Sequence, residues 1–181
     1  MKEIVQDGAA VLRETAKPVP EEMFGTPKLK KIIADMEDTL DPELEGVALA
    51  APQIGVPYRM FIVRKDRTIP PPPQENAKGE SSRPTVHPPE VEIYINPEIR
   101  KTSRKRANAE EGCLSVRGVY GTTNRHERVT LRAYGADGSR FERGAGGLMA
   151  QIFEHEVDHL NGILFTDHAE NLIHIHHVPV S

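Results

Sequence analysis

The sequence predicts an α+β fold in which antiparallel strands pack around one central helix. Three observations carry this. Leu148, Ile152, His155 and His159 fall at steps of four, three and four, which is the spacing of one helical face. The stretches around Tyr58–Val63, Val91–Ile95 and Val129–Ala133 are short apolar runs or alternations of strand length. The order along the chain is helix, several short strands, then helix, with no internal repeat.

Each element has its own reason. Residues 1–25 read as an extended arm with a short turn, anchored by Val11, Leu12 and Val19, with Pro18 and Pro20 preventing a long helix. Thr26-Pro27 is a helix start, with Thr as N-cap and Pro at the first helical position. Leu29, Ile32, Ile33, Met36 and Leu40 give the apolar stripe, and Asp41-Pro42 ends it. The run from Gly46 to Gly55 is small and apolar, interrupted by the lone amide of Gln53, and a strand follows at Tyr58–Val63.

Residues 64–90 hold seven of the fifteen prolines, so this stretch reads as a surface insertion. Val91, Ile93 and Ile95 alternate as a strand, and Arg100 to Arg106 reads as a solvated turn or edge. Gly112-Cys113-Leu114-Ser115 is a tight, turn-capable loop preceded by Glu110 and Glu111. Val129, Leu131 and Ala133 alternate again, and Asp137-Gly138 turns the chain into a return strand carrying Phe141. Gly146-Gly147 mark the start of the second helix and Gly162 its C-cap. From about 169 the histidine-containing tail reads as irregular, because no helical spacing organises His168, His174, His176 and His177 into a second metal site. The whole chain, 1–181, reads as a single domain.

The length of 181 residues suits one ordinary core. A net charge of −4, with no long basic run, argues against a dedicated nucleic-acid binder. The single cysteine, Cys113, cannot form an internal disulfide, which favours a reducing compartment. The opening residues lack a signal-peptide core, and no apolar stretch approaches the ~20 residues needed to span a bilayer. A cytoplasmic protein with no membrane partner is the expectation.

The chemistry is concentrated in His155-Glu156-Val157-Asp158-His159. Two histidines four apart on a helix stack on one face and can share a metal ion, and Glu156 beside them can handle the protons of a water. So short a pattern also arises by chance, so it needs support from elsewhere in the chain. Cys113 admits three readings: buried filler, nucleophile or metal ligand. A Cys thiolate with two histidines makes three protein ligands and leaves a fourth position open, as in catalytic sites. That donor set suits Fe²⁺, Zn²⁺, Co²⁺ or Ni²⁺. A Cys–His nucleophile would leave Glu156 and His159 without roles.

Three stretches together resemble the peptide deformylase family. Gly46 to Gln53 is similar to its glycine-rich motif ending in Ala-Ala-Pro-Gln. Glu111-Gly112-Cys113-Leu114-Ser115 matches its Glu-Gly-Cys-Leu-Ser, and His155 to Leu160 matches its His-Glu-x-Asp-His-Leu. Ile4-Val5-Gln6 and Val11-Leu12-Arg13 resemble its N-terminal arm. The resemblance implies hydrolysis of the formyl group from the N-terminal formyl-methionine of nascent polypeptides, with Fe²⁺ as native metal and the ribosome exit region as a further partner. It implies Cys113, His155 and His159 as metal ligands and Glu156 as the proton carrier. The Gln53 amide and the Leu114 backbone N–H would be donors to the formyl oxygen. It also implies substrate contacts from Gly46, Val47, Ala48, Gly112, Arg125, Leu148 and Gln151, and a supporting place for Asp158.

The chain departs from the family pattern at four places. Ala48 stands where glycine is usual, which predicts a narrowed cleft or a strained backbone. Glu154 replaces a common glutamine, which predicts negative charge close to the metal. Arg117 holds a position often taken by proline, and Gln151 puts an amide beside the methionine pocket. The tail has no basic helix of the kind some relatives use to dock on ribosomes. Three other readings compete: hydrolysis of another formyl or acyl amide, a metal-binding homologue without turnover, and a generic zinc protease.

Overall fold

Thr26 starts the first helix as its side chain requires. Its Oγ1 accepts the Leu29 N–H at 3.3 Å and Pro27 occupies the first turn, so α1 spans Pro27–Leu40. A computed structural model describes residues 1–69 and 88–175; the run Pro70–Pro73 and the tail residues His176 and His177 lie outside the described residues. Strands follow as β1 (Ala48–Ala50), β2 (Met60–Arg64), β3 (Val91–Thr102), β4 (Arg106–Cys113), β5 (Val116–His126), β6 (Arg128–Tyr134) and β7 (Arg140–Gly146). Then come the second helix, α2 (Gly147–Leu160), and a last strand, β8 (Glu170–His174). Five strands form one sheet in the order β1-β2-β3-β6-β7, and three form another in the order β4-β5-β8, with all these pairings antiparallel.

Strand alternation divides the core between the two helices. Leu49, Met60, Ile62 and Ile95 pack with Leu29, Ile33, Met36 and Leu40 of α1. Their neighbours Ala48, Ala50, Phe61, Val63 and Tyr94 face the other way and pack with Ile152, Phe153, Val157 and Leu160 of α2. Phe61 stacks on Tyr94 at 4.8 Å, and Tyr94 meets Phe153 edge-on at 5.1 Å. Each such pair contributes about 0.5–1.5 kcal/mol beyond its burial. The small residues of β1 let α2 approach closely. Ala48 carries no left-handed backbone, since the only non-glycine residues with positive φ among those described are Asn96 and Asn171. The strain expected at Ala48 is therefore absent, and its methyl group joins the core.

The arm holds two short 3-10 turns, Ala10–Leu12 and Glu21–Met23, and is tied down at its far end. Asn96 accepts the Val19 N–H at 2.8 Å and donates to the Val19 carbonyl at 2.9 Å. Gly162 follows α2 with φ +73°, and a side chain there would run into the Arg13 carbonyl.

Two readings of the sequence need correction and one gains detail. Arg100–Arg106 is an exposed turn flanked by strands: β3 runs through Thr102 and β4 begins at Arg106. The long hairpin of β4 and β5 escapes pattern reading because β4, Arg-Ala-Asn-Ala-Glu-Glu-Gly-Cys, is small and polar with much of it facing solvent. The tail from 169 is not irregular up to 174, because β8 pairs with β5, Tyr120 opposite Ile173. Finally, the N-terminal end of the 64–90 stretch is ordered structure. Arg64 closes β2, Lys65–Arg67 make a 3-10 turn, and Arg67 donates to the carbonyls of Asp41, Glu43 and Gly46 at 2.7–2.8 Å.

Candidate metal centre

The β4–β5 hairpin and α2 bring the three expected ligands together. Cys113 ends β4, while His155 and His159 stand one helical turn apart on α2. Their ligand atoms all lie within 4.8 Å of one another, with Cys113 Sγ 3.3 Å from His159 Nε2. The spacing, one soft sulfur and two imidazoles fit a divalent transition metal with an open position. Burial, with His155 close by, holds the His159 imidazole well below its usual pKa, in the neutral form that binds metal.

Glu111 sets the orientation of the first histidine. Its Oε1 accepts from His155 Nδ1 at 2.5 Å, leaving Nε2 for the metal. Arg125 donates to both oxygens of Glu111, at 2.6 and 3.1 Å, and to Asp158 at 2.7 Å, while the Thr123 hydroxyl adds a 2.6 Å bond. Burial pushes the Glu111 carboxyl upward. Its bonds from His155 and Arg125 outweigh that and hold it well below the usual range. The sequence reading left Glu111 without a role, although the signal was there: a strand residue two before Cys113 shares its face.

Arg125 was expected to touch substrate. The structure buries it at 7% exposure under this network and away from the cleft lining, so it supports the ligands instead. Glu154 also departs from expectation. Its carboxylate is turned from the metal ligands to the end of β5, where it accepts from the His126 backbone N–H at 2.8 Å and from His126 Nδ1 at 2.6 Å. A helix step of one residue rotates it about 100° from His155.

Above the ligands opens a cleft of about 730 Å³. Gly46, Val47, Ala48, Gly112, Leu148 and Gln151 line it, together with Gln53, Cys113, Leu114, His155 and Glu156. Gln151 spends its amide on the Glu110 carbonyl at 2.8 Å, so it ties α2 to β4. Gln53 is fixed as firmly. Its Oε1 accepts the Ala50 N–H at 2.9 Å, which directs its Nε2 to Ser115 Oγ at 3.1 Å and Cys113 Sγ at 3.6 Å. Gly46 leaves room for Leu114, whose Cδ1 would lie 2.9 Å from any Cβ there. Glu156 is buried and its Oε2 has no hydrogen-bond partner. Burial pushes its carboxyl up to about 7, where a proton carrier works best.

A Cys-His-His cluster, His159 buried and Cys113 and His155 half-buried, opens to a cleft beside the unpartnered Oε2 of Glu156, and this defines a metal-dependent hydrolase. The family described as polypeptide deformylase matches residues 1–173. Peptide deformylase of Brucella suis is 38% identical over 162 residues, covering 90% of this chain and 81% of that one. A peptide deformylase from Thermotoga maritima superposes with TM-score 0.76 at 32% identity, covering 94% of this chain and 98% of that one. A Met-Ala-Ser-bound class I type b peptide deformylase from Acinetobacter baumannii gives TM-score 0.75 at 31% identity, covering 92% of this chain and 97% of that one. The chain belongs to the peptide deformylase family, metal-dependent hydrolases that remove the formyl group from the N-terminal methionine of nascent peptides. No described helix is long and apolar enough to cross a membrane.

Proposed function

We propose that the residues of this cleft act in deformylation as follows. Cys113, His155 and His159 hold one divalent metal, Fe²⁺ in the cell, with Zn²⁺, Ni²⁺ or Co²⁺ able to occupy the same donors. When bound, the metal supplies a water acidified to near neutral pH and an electrophile for the formyl oxygen. Glu156 takes the proton of the attacking water and delivers it to the leaving nitrogen as the formyl C–N bond breaks, so formate and a free amine result. The Gln53 Nε2 and the Leu114 backbone N–H donate to the formyl oxygen as negative charge grows there. Each donor of this kind supplies about 3 kcal/mol of transition-state stabilisation. The observation that carries the assignment of Glu156 is its buried, unpartnered Oε2 beside the ligand cluster.

The peptide itself binds as an added strand. β1 is an edge of the five-stranded sheet and β4 an edge of the three-stranded one, so both offer backbone groups to a chain lying between them. Gly46, Val47, Ala48, Gly112, Leu148 and Gln151 surround the methionine. The single catalytic domain spans 1–181, with the Pro-rich stretch as a surface insertion. The lone, metal-ligating cysteine favours the reducing cytoplasm, and the nascent substrate favours work near the ribosome exit. Formate release from formyl-Met-Ala-Ser by Fe²⁺-loaded protein tests this reading, with acetyl-Met-Ala-Ser as comparison. Turnover of the formyl peptide alone is expected; equal turnover of the acetyl peptide would favour a broader acyl-amide hydrolase.

A further inference from the structure

The N-terminal arm lies against both segments on which the chemistry above relies. The Val5 N–H donates to the Gln53 carbonyl at 2.9 Å, and the Asp7 N–H donates to the Ser115 carbonyl at 2.8 Å. Between them, the Gln6 side chain donates through Nε2 to the Leu114 carbonyl at 2.9 Å. The same Nε2 donates to the Ile4 carbonyl at 3.2 Å. Both neighbours are acceptors, so the amide nitrogen and not its oxygen must face them, and both amide hydrogens are engaged. The arm that carries Gln6 is itself held. Ile4 is buried in the core beside α1, and the Lys2 N–H donates to Thr39 Oγ1 at 2.8 Å.

Leu114 and Ser115 form the short loop of the β4–β5 hairpin, closed by the pairing of Cys113 with Val116. A planar trans peptide group points its carbonyl and its N–H in opposite directions. Gln6 takes the Leu114 carbonyl from outside, so the Ser115 N–H of the same peptide group is aimed inward, where it reaches Cys113 Sγ at 3.4 Å. Gln53 Nε2 stands 3.6 Å from the same sulfur. The sulfur expected to hold metal thus meets N–H groups from two segments, and Gln6 fixes one of them from the far side of a peptide plane.

We infer that Gln6 is a positioning residue for the metal centre. By holding the Leu114 carbonyl it keeps the Ser115 N–H on the Cys113 thiolate, and so reduces the electron donation of that sulfur to a bound metal. The inference rests on the reading of Cys113 as a metal ligand. Hydrogen bonds to a ligating sulfur are one of the levers by which a protein sets the electronics of its metal. Weaker donation from the sulfur leaves the metal a stronger Lewis acid. Gln6 touches neither the cleft nor the ligands, and its effect passes through a single peptide group. Gln6 is exposed, and one exposed hydrogen bond is modest, so its loss should lower kcat about three- to tenfold and leave KM within about twofold.

The test is the absorption spectrum of the Co²⁺-loaded protein, in which a thiolate ligand gives a sulfur-to-metal charge-transfer band in the near ultraviolet. Gln6→Met keeps the length of the side chain and its neutrality but removes the donor, and Gln6→Lys supplies a donor again. Gln6→Met should keep one Co²⁺ per chain and move the band to longer wavelength, because a sulfur without its N–H holds its electrons less tightly. Its kcat for formyl-Met-Ala-Ser should fall about three- to tenfold. Gln6→Lys should return both the band and kcat toward wild type. A band at the wild-type wavelength in Gln6→Met overturns the inference and leaves the metal centre intact. So does a shift that Gln6→Lys fails to reverse. A wild-type spectrum with full Co²⁺ content and no charge-transfer band would overturn Cys113 as a ligand, and this inference with it.

Discussion

The Glu111 carboxylate lies 2.5 Å from His155 Nδ1, so a residue on the β4 edge orients a metal ligand on α2. The pair joins the two parts of the metal centre, because the same strand ends in Cys113. Glu111→Gln keeps the shape but removes the more deeply buried of the two carboxylates that pair with Arg125, leaving only Asp158. Metal affinity should fall about 10–100-fold and stability by roughly 3–5 kcal/mol. Competition with a metallochromic chelator and denaturant unfolding measure the two effects; wild-type affinity in a folded variant would remove Glu111 from the orienting role.

Much of this centre was legible in the sequence, because helices and short motifs write their geometry locally. His155 and His159 share a helix face by spacing alone, and Thr26-Pro27 and Gly162 marked helix ends through capping chemistry. What stayed hidden depends on strand pairing. The register that sets Arg125 under Glu111 joins residues fourteen apart through a hairpin whose strands are too polar to announce themselves. Glu154 looked like a charge at the metal because it adjoins His155. Its true partner, His126, comes from another element. β8 was missed for the same reason, since its pairing with β5 lies outside its own five residues.

The segment between Ile69 and Pro88 should be dispensable. Its flanks are already closed: Arg64 pairs with Val91, and the Lys65 N–H donates to the Glu90 carbonyl at 2.8 Å. Replacing residues 70–87 by a four-residue Gly/Ser linker should change stability by less than about 1 kcal/mol. Formate release should stay within twofold of wild type. A large loss of metal binding or turnover would show that the segment belongs to the site.

Acid stability should report on Asp66. Hydrogen bonds from Arg64, at 2.9 Å, hold its largely buried carboxyl down to about 2. A pKa lower in the folded than in the unfolded chain stabilises the protein above about pH 4, and that stability is lost as pH falls through about 2. The contribution is about 2 kcal/mol. Denaturant unfolding at pH 7, 4, 3 and 2 should show a loss below pH 4 that is smaller in Asp66→Asn by that amount. Identical pH profiles would rule the pair out as a source of acid sensitivity.

The first measurement to make is formate release from formyl-Met-Ala-Ser by wild type and Glu156→Ala, both loaded anaerobically with Fe²⁺ and assayed for bound metal. Because Glu156 carries the proton and binds no metal, the variant should keep one metal per chain and lose about 10²–10⁴-fold in turnover. Turnover within twofold of wild type at equal metal content would contradict the assignment of Glu156 as the proton carrier.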